Sequence, residues 1–300
     1  MVVGKDRFSI GAGEVRMNVE PVNQSASLRR AGPFRPFRAI AVTSGKGGVG
    51  KTSLAVNLAL AWARTEQRTC LLDGDLGLAN VDVLLNLHPR HSLRDVITGA
   101  KELEDVITPG PAGLQVIPAA SGVEALANLS GAARRGLAAR LERLSHLADV
   151  AVLDTGAGIS PTVLTLALAA DEVLVVTTPE PTALTDAYAM VKVLTRRQRD
   201  LSLQLVVNFA DHASQAREVH GHLDRITRRF LGRQMPLAGW VPRDACVERA
   251  VQEQRPFLLY FPHSRAAEAI RDIARRLGRG RQAPASGQFW TRLAGCTESP

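Results

Sequence analysis

The stretch SGKGGVGKTS, residues 44–53, sets two lysines among glycines. Its spacing fits G-x-x-x-x-G-K-[ST], with Gly45, Gly50, Lys51 and Thr52 at the defining positions. Gly47, Gly48, Val49 and Ser53 complete the run. Glycines let backbone N–H groups close on phosphate oxygens, and a helix N-terminus behind them adds positive potential. Lys51 is placed to bridge the β- and γ-phosphates of a nucleoside triphosphate, and the Thr52 hydroxyl to hold Mg²⁺. Lys46 is not called for by this motif and needs a separate account.

A phosphate-bound metal also needs carboxylates. LLDGDLGLANVD (71–82) offers Asp73, Asp75 and Asp82, and AVLDTGAG (151–158) offers Asp154. Both clusters end apolar runs, which puts them at one edge of a parallel sheet, where such sites form. Asp154 is the candidate to reach Mg²⁺ through water. Asp75 is the candidate to orient, or take a proton from, an attacking water, and also belongs to the metal set. Acidic residues after strands also cap helices, and that reading stands beside the catalytic one.

The elements that must position these groups follow from patterning. AIAVT, TCLLD, LQVIP, DVAVLD, EVLVVTT, LQLVVN and PLAGWVP are short β-branched runs, apolar on both faces and separated by helical crossovers. That pattern predicts an α/β fold with a mostly parallel, doubly wound sheet flanked by helices. The phosphate motif follows AIAVT and opens the helical run SLAVNLALAWA. SPTVLTLALAA sets Ser160 at an N-cap and Pro161 in the first turn. Residues 264–277 read as a last amphipathic helix with Ile270, Ile273 and Leu277 on one face. The expected organisation is a flexible basic arm over 1–38, one nucleotide-binding domain over 39–278, and a linker with a short amphipathic segment over 279–300.

Of 300 residues, 45% are apolar but only 4% aromatic, so the core must be built from Val, Leu, Ile and Ala. Cys70, Cys246 and Cys296 are far apart and odd in number, which predicts a reducing compartment and neither a disulfide framework nor a metal cluster. No long apolar run predicts a membrane span or a secretory signal. The net charge is +8, and residues 39–263 carry 23 basic and 23 acidic side chains, so the excess lies at the two ends. Basic ends suit an acidic partner, anionic lipid or nucleic acid, or serve only solubility. His212, His220 and His222 lack accompanying ligands at metal spacing and read as a solvated helix face.

KGGVGKT with its extra lysine resembles the deviant Walker A motif of the MinD/ParA class of P-loop ATPases. DGDLGLANVD is similar to that class's switch I, and DTGAGIS to its switch II. DLGLANVDVLL, DTGAGIS and TTPEPTALTDAY look most like the flagellar-number regulators of the FlhG/FleN type. The resemblance covers about residues 39–278. It implies an ATPase with ATP and Mg²⁺ as cofactors that forms a face-to-face homodimer around two ATP molecules. Lys46 then touches the phosphates held by the other subunit, a cation supplied in trans. Glu180 and Asp186 fall at the same interface, with Glu180 near the partner's ATP or Lys46 and counted among the ATP-binding residues. Asn208 and the backbone of Val241, Pro242, Arg243 and Asp244 read the adenine, although Asn208 and Asp244 could equally be ordinary loop residues.

The resemblance also gives the ends a meaning. NQSASLR (23–29) is similar to an activator motif that stimulates the signal-recognition-type flagellar GTPase FlhF, with Gln24, Leu28 and Arg29 matching and Asn23 and Ser25 departing. Phe289, Trp290 and Leu293 form an apolar cluster expected to contact an anionic membrane in the ATP state, with folding back onto the body as the alternative. The implied protein is cytoplasmic, peripheral on the inner face of the cell membrane, and partnered by FlhF, a flagellar transcription activator or basal-body components. The alternatives are a ParA-type partition ATPase on non-specific DNA, a MinD-type septum-site regulator, and an ATP-sensing adaptor.

Overall fold

The computed structural model describes residues 37–65, 67–75, 80–119, 130–279 and 288–295. The arm residues Gln24, Leu28 and Arg29, and the activator-like motif they belong to, lie outside the described residues.

Each apolar run becomes a strand: β1 (Arg38–Ser44), β2 (Thr69–Gly74), β4 (Gln115–Ile117), β5 (Val150–Ala157), β6 (Glu172–Thr177), β7 (Leu203–Ala210) and β8 (Leu237–Pro242). The two-residue β3 (Thr108–Pro109) adds an antiparallel edge to β4, and every other pairing is parallel. The strand order is β3-β4-β2-β5-β1-β6-β7-β8. The chain thus winds outward on both sides of β1, and the carboxyl end of β1 lies at the reversal, where doubly wound sheets bind ligands.

Helices cover both faces. On one face lie α3 (Leu93–Thr98), α4 (Leu103–Val106), α5 (Gly131–Glu142), α6 (Leu144–Leu147), α7 (Pro161–Ala169), α8 (Pro181–Arg197), α9 (Ala213–Leu231) and α13 (Gln288–Gly295). On the other lie α1 (Lys51–Ala63), α2 (Val81–Leu85), α10 (Ala245–Gln252), α11 (Phe257–Tyr260) and α12 (Arg265–Arg279). Strand β5 shows why its sequence is continuously apolar. Ala151 and Leu153 enter one core, while Val150 and Val152 enter the other. Ser160 caps α7 by accepting the Val163 N–H, with Pro161 in the first turn.

Of the two expected places for Phe289, Trp290 and Leu293, the structure has them folded back onto the body. Their relative exposures are 3%, 4% and 2%, and they belong to the core beneath α5 and α7. Phe37 stacks on Trp290 at 5.3 Å, and Phe289 meets Trp290 edge-on at 4.4 Å. Arg292 donates to the Ala170 carbonyl, at the C-terminal end of α7, and pairs with Asp171. The physical reason is that one apolar stripe on a short helix serves a lipid surface and a protein core equally well. Here the bed is rich in small residues, including Ala138, Ala167 and Ala170, and large rings fill it.

Trp290→Ala should therefore cost about 3–5 kcal/mol of stability through the cavity it leaves. Nucleotide affinity should stay unchanged. Chemical denaturation and nucleotide titration of the same variant check this. An unaltered denaturation midpoint would show that α13 does not rest in this bed in solution.

Candidate active site

The loop after β1 turns into α1 through Gly48 and Gly50, both left-handed at φ 78° and 81°. Gly50 cannot be replaced for a second reason, since an added Cβ would stand 2.4 Å from the Asn208 Nδ2. At Gly45 a Cβ would stand 2.1 Å from the Asp186 carbonyl oxygen, so α8 lies directly against the loop. Asn208 donates through Nδ2 to the Val49 carbonyl at 2.8 Å and ties the loop to the end of β7.

Lys51, at the first position of α1, is buried, and its Nζ lies 3.2 Å from Asp154 Oδ1. The Thr52 hydroxyl bonds to the same carboxylate. Asp154 stands beside Asp73 in the β2–β5 register, and both are 1% exposed. Burial raises the Asp154 carboxyl above its ordinary value, against the opposing pull of Lys51. Burial, and then the negative charge of Asp154, push Asp73 up to about 7. The buried Asp154 carboxylate faces one ammonium, and a hydroxyl is at hand. That donor set fits Mg²⁺, with Thr52 and Asp154 holding the ion and its waters beside a bound phosphate chain. Asp75 lies close by: a Cβ on Gly156 would sit 3.5 Å from its Oδ1.

Lys46 is turned the other way. Its Nζ lies 2.8 Å from Glu180 Oε2 and 3.0 Å from Thr182 Oγ1, at the start of α8. The pair is open to solvent, and the hydrogen bond from Lys46 lowers the Glu180 carboxyl below its usual range.

A recess of about 400 Å³ opens beside the loop, walled by Gly50, Ser53, Asn208, Phe209, Val241 and Arg243 among others. Its apolar walls and its position past the helix start suit a purine base. Pro242 and Asp244 do not line it. The Asp244 carboxylate accepts the Cys246 N–H in α10 and the Ala266 N–H in α12, so its side chain holds two helix starts.

Two residues whose roles the sequence left unread belong to the site. Phe209 has a left-handed φ of 57° and sets its ring in the recess, with the Arg243 guanidinium 5.8 Å from the ring centroid. No periodicity announces such a conformation. Asp73 accepts backbone N–H groups from Asp75, Asn80 and Val81, at 3.0, 3.2 and 3.3 Å. It clasps both ends of the segment that carries Asp75. Its place in DGD was visible in the sequence, but its partners were not.

Above about pH 8, where Asp73 is ionised, Asp73→Ala should raise amide exchange at Asn80 and Val81 by about tenfold or more, since hydrogen bonds to a charged acceptor contribute about 1.5–3 kcal/mol each. Hydrogen–deuterium exchange of the nucleotide-free protein reads this directly. Unchanged protection would show that the segment is held by other contacts.

A phosphate loop entering a helix, a metal-suited carboxylate and a purine-sized recess, on a doubly wound sheet, define a P-loop NTPase. Residues 37–278 match the ParA family model, described as NUBPL iron-transfer P-loop NTPase. The chain belongs to the ParA family of P-loop NTPases. It is 44% identical over 250 residues to the antiactivator FleN of Pseudomonas aeruginosa, covering 83% of this chain and 89% of that protein. It is 31% identical over 236 residues to the flagellum site-determining protein YlxH of Helicobacter pylori, covering 78% and 80%. The septum site-determining protein MinD of Pyrococcus horikoshii, solved with Mg-ADP, superposes with a TM-score of 0.68 at 25% identity, covering 81% of this chain and 96% of that one.

Proposed function

We propose that this chain is an ATP-hydrolysing switch that dimerises when it holds ATP and sets the number or placement of flagella. The observation that carries the reading is the exposed second loop lysine, Lys46, on a chain 44% identical to an antiactivator named FleN. An exposed ammonium at the lip of the phosphate loop is available to a second subunit, whereas the buried Lys51 serves its own nucleotide. Lys51, Thr52 and Asp154 hold the phosphates and Mg²⁺, Asp75 handles the attacking water, and Asn208, Phe209 and Arg243 receive the base. The word antiactivator points to a transcription activator as target, and basal-body components or the flagellar GTPase FlhF belong to the same reading. Peripheral membrane attachment through the tail would require α13 to leave its bed.

An iron-carrying role finds less support. Cys70 is buried in β2 and Cys246 stands in α10, and among the described residues no group of three His, Cys, Asp or Glu side chains is arranged to hold a metal.

The test is size-exclusion chromatography and turnover with ATP and with ADP, followed by flagellar counts in a flagellated host whose own copy is replaced by this chain. A dimer found with ATP alone, slow turnover and restored counts support the reading. ATP-dependent binding to non-specific DNA with no effect on flagella would replace it with a partition ATPase.

A further inference from the structure

The end of α1 remote from the phosphate loop borders a groove of about 630 Å³ that the nucleotide site does not use. Its floor is apolar, made by Ala61 and Trp62 of α1, Leu258 of α11 and Ala274 of α12. These walls are locked together. Trp62 donates through Nε1 to the Ala274 carbonyl at 3.2 Å, and Asn57 accepts the Leu258 N–H at 2.8 Å. The groove is therefore formed before anything enters it.

The rim carries Arg64, His263, Arg271 and Arg275, and no carboxylate lines the groove among the described residues. Arg275 is paired with Asp272, while Arg64 and Arg271 have no ion-pair partner among the described residues.

We infer that this groove is a docking site for an acidic segment of a partner protein that inserts one apolar side chain into its floor. The carboxylates of such a segment meet the arginine rim, and its apolar side chain fills the floor. The other polyanions fit less well. Trp62 is 4% exposed and offers no ring face for stacking a base. A concave recess also cannot seat the flat surface of a bilayer. The 13 residues of α1 place the groove about 20 Å from Lys51, so a segment docked here does not displace nucleotide. The inference does not depend on the flagellar reading.

Panning a phage-displayed random dodecapeptide library on the full-length protein tests it, with fluorescence anisotropy on the enriched peptides. Enriched peptides should be net acidic with one apolar anchor. The Arg64→Glu/Arg271→Glu variant should weaken them at least tenfold, and so should alanine at the anchor. Arg225→Glu/Arg229→Glu, an equal charge change on α9, should weaken them no more than twofold. Thermal melts confirm that both variants fold. The idea is overturned if no peptide enriches, if the enriched peptides are neutral or basic, or if both charge reversals weaken them equally. It is overturned too if phosphatidylglycerol vesicles or duplex DNA bind the wild type and lose that binding in the rim variant, since the rim would then be reading phosphate.

Discussion

Replacing Lys51 with methionine will abolish ATP binding and also destabilise the nucleotide-free protein. Lys51 and Asp154 are a buried pair at 3.2 Å, with side-chain exposures of 8% and 1%. Removing one member of such a pair strands the other charge and costs about 3–5 kcal/mol. Methionine keeps most of the volume, so the loss reports charge rather than packing. Binding suffers separately, because the β- and γ-phosphates lose their buried cation. Loss of a desolvated charge partner costs about 2–5 kcal/mol, on the order of thirtyfold to several-thousandfold in affinity. A second substitution separates the two effects. Asp154→Asn added to Lys51→Met removes the stranded carboxylate and should recover much of the stability while ATP binding stays lost. Calorimetric titration and thermal denaturation of the wild type, the single and the double variant check this. If the double variant is no more stable than the single one, the uncompensated Asp154 charge is not what destabilises the protein.

The sheet was legible because each parallel strand is buried on both faces, and a short β-branched run advertises that burial without help from distant residues. The two-residue β3 was not, since its pairing with β4 depends on a turn rather than on composition. The loop glycines and Lys51 were legible for a similar reason: the motif is local, and its strand and helix flank it directly. What escaped was whatever depends on chain segments meeting from afar. The resemblance brought the Asp244 backbone near the base but said nothing of its carboxylate, whose two partners are N–H groups of α10 and α12, one of them 22 residues on. Asp73 reads as one of three nearby aspartates until its three N–H partners close the loop around Asp75. Phe289, Trp290 and Leu293 carried an amphipathic signal that left two destinations open, a lipid surface and the protein body. Their bed is assembled from α5, α7 and Phe37, more than 100 residues upstream, and no window along the chain contains both.

Lys46→Ala should leave ATP binding nearly intact and reduce turnover by something on the order of a thousandfold, the scale of losing one cation supplied in trans. The contrast with Lys51 follows from where each ammonium points. The Lys46 Nζ contacts Glu180 and Thr182 at the start of α8, away from the buried carboxylates, and its side chain is 38% exposed. Its pair with Glu180 is solvated and weak, so a phosphate on a facing subunit can take the ammonium over. Among the described residues the Lys46 Nζ contacts Glu180 and Thr182 and none of Lys51, Thr52 or Asp154. The variant should therefore elute as a monomer in ATP while still binding ATP. Asp75→Ala should do the opposite in one respect: it should dimerise in ATP and stay dimeric, because both lysines remain and the γ-phosphate is not cleaved. Glu180→Gln removes the charge that holds Lys46 in place and should favour the dimer at lower protein concentration. Size-exclusion chromatography in ATP and steady-state turnover on the same samples distinguish these outcomes. If Lys46→Ala dimerises and turns over like the wild type, the lysine belongs only to its own loop, and hydrolysis in this protein is not coupled to assembly.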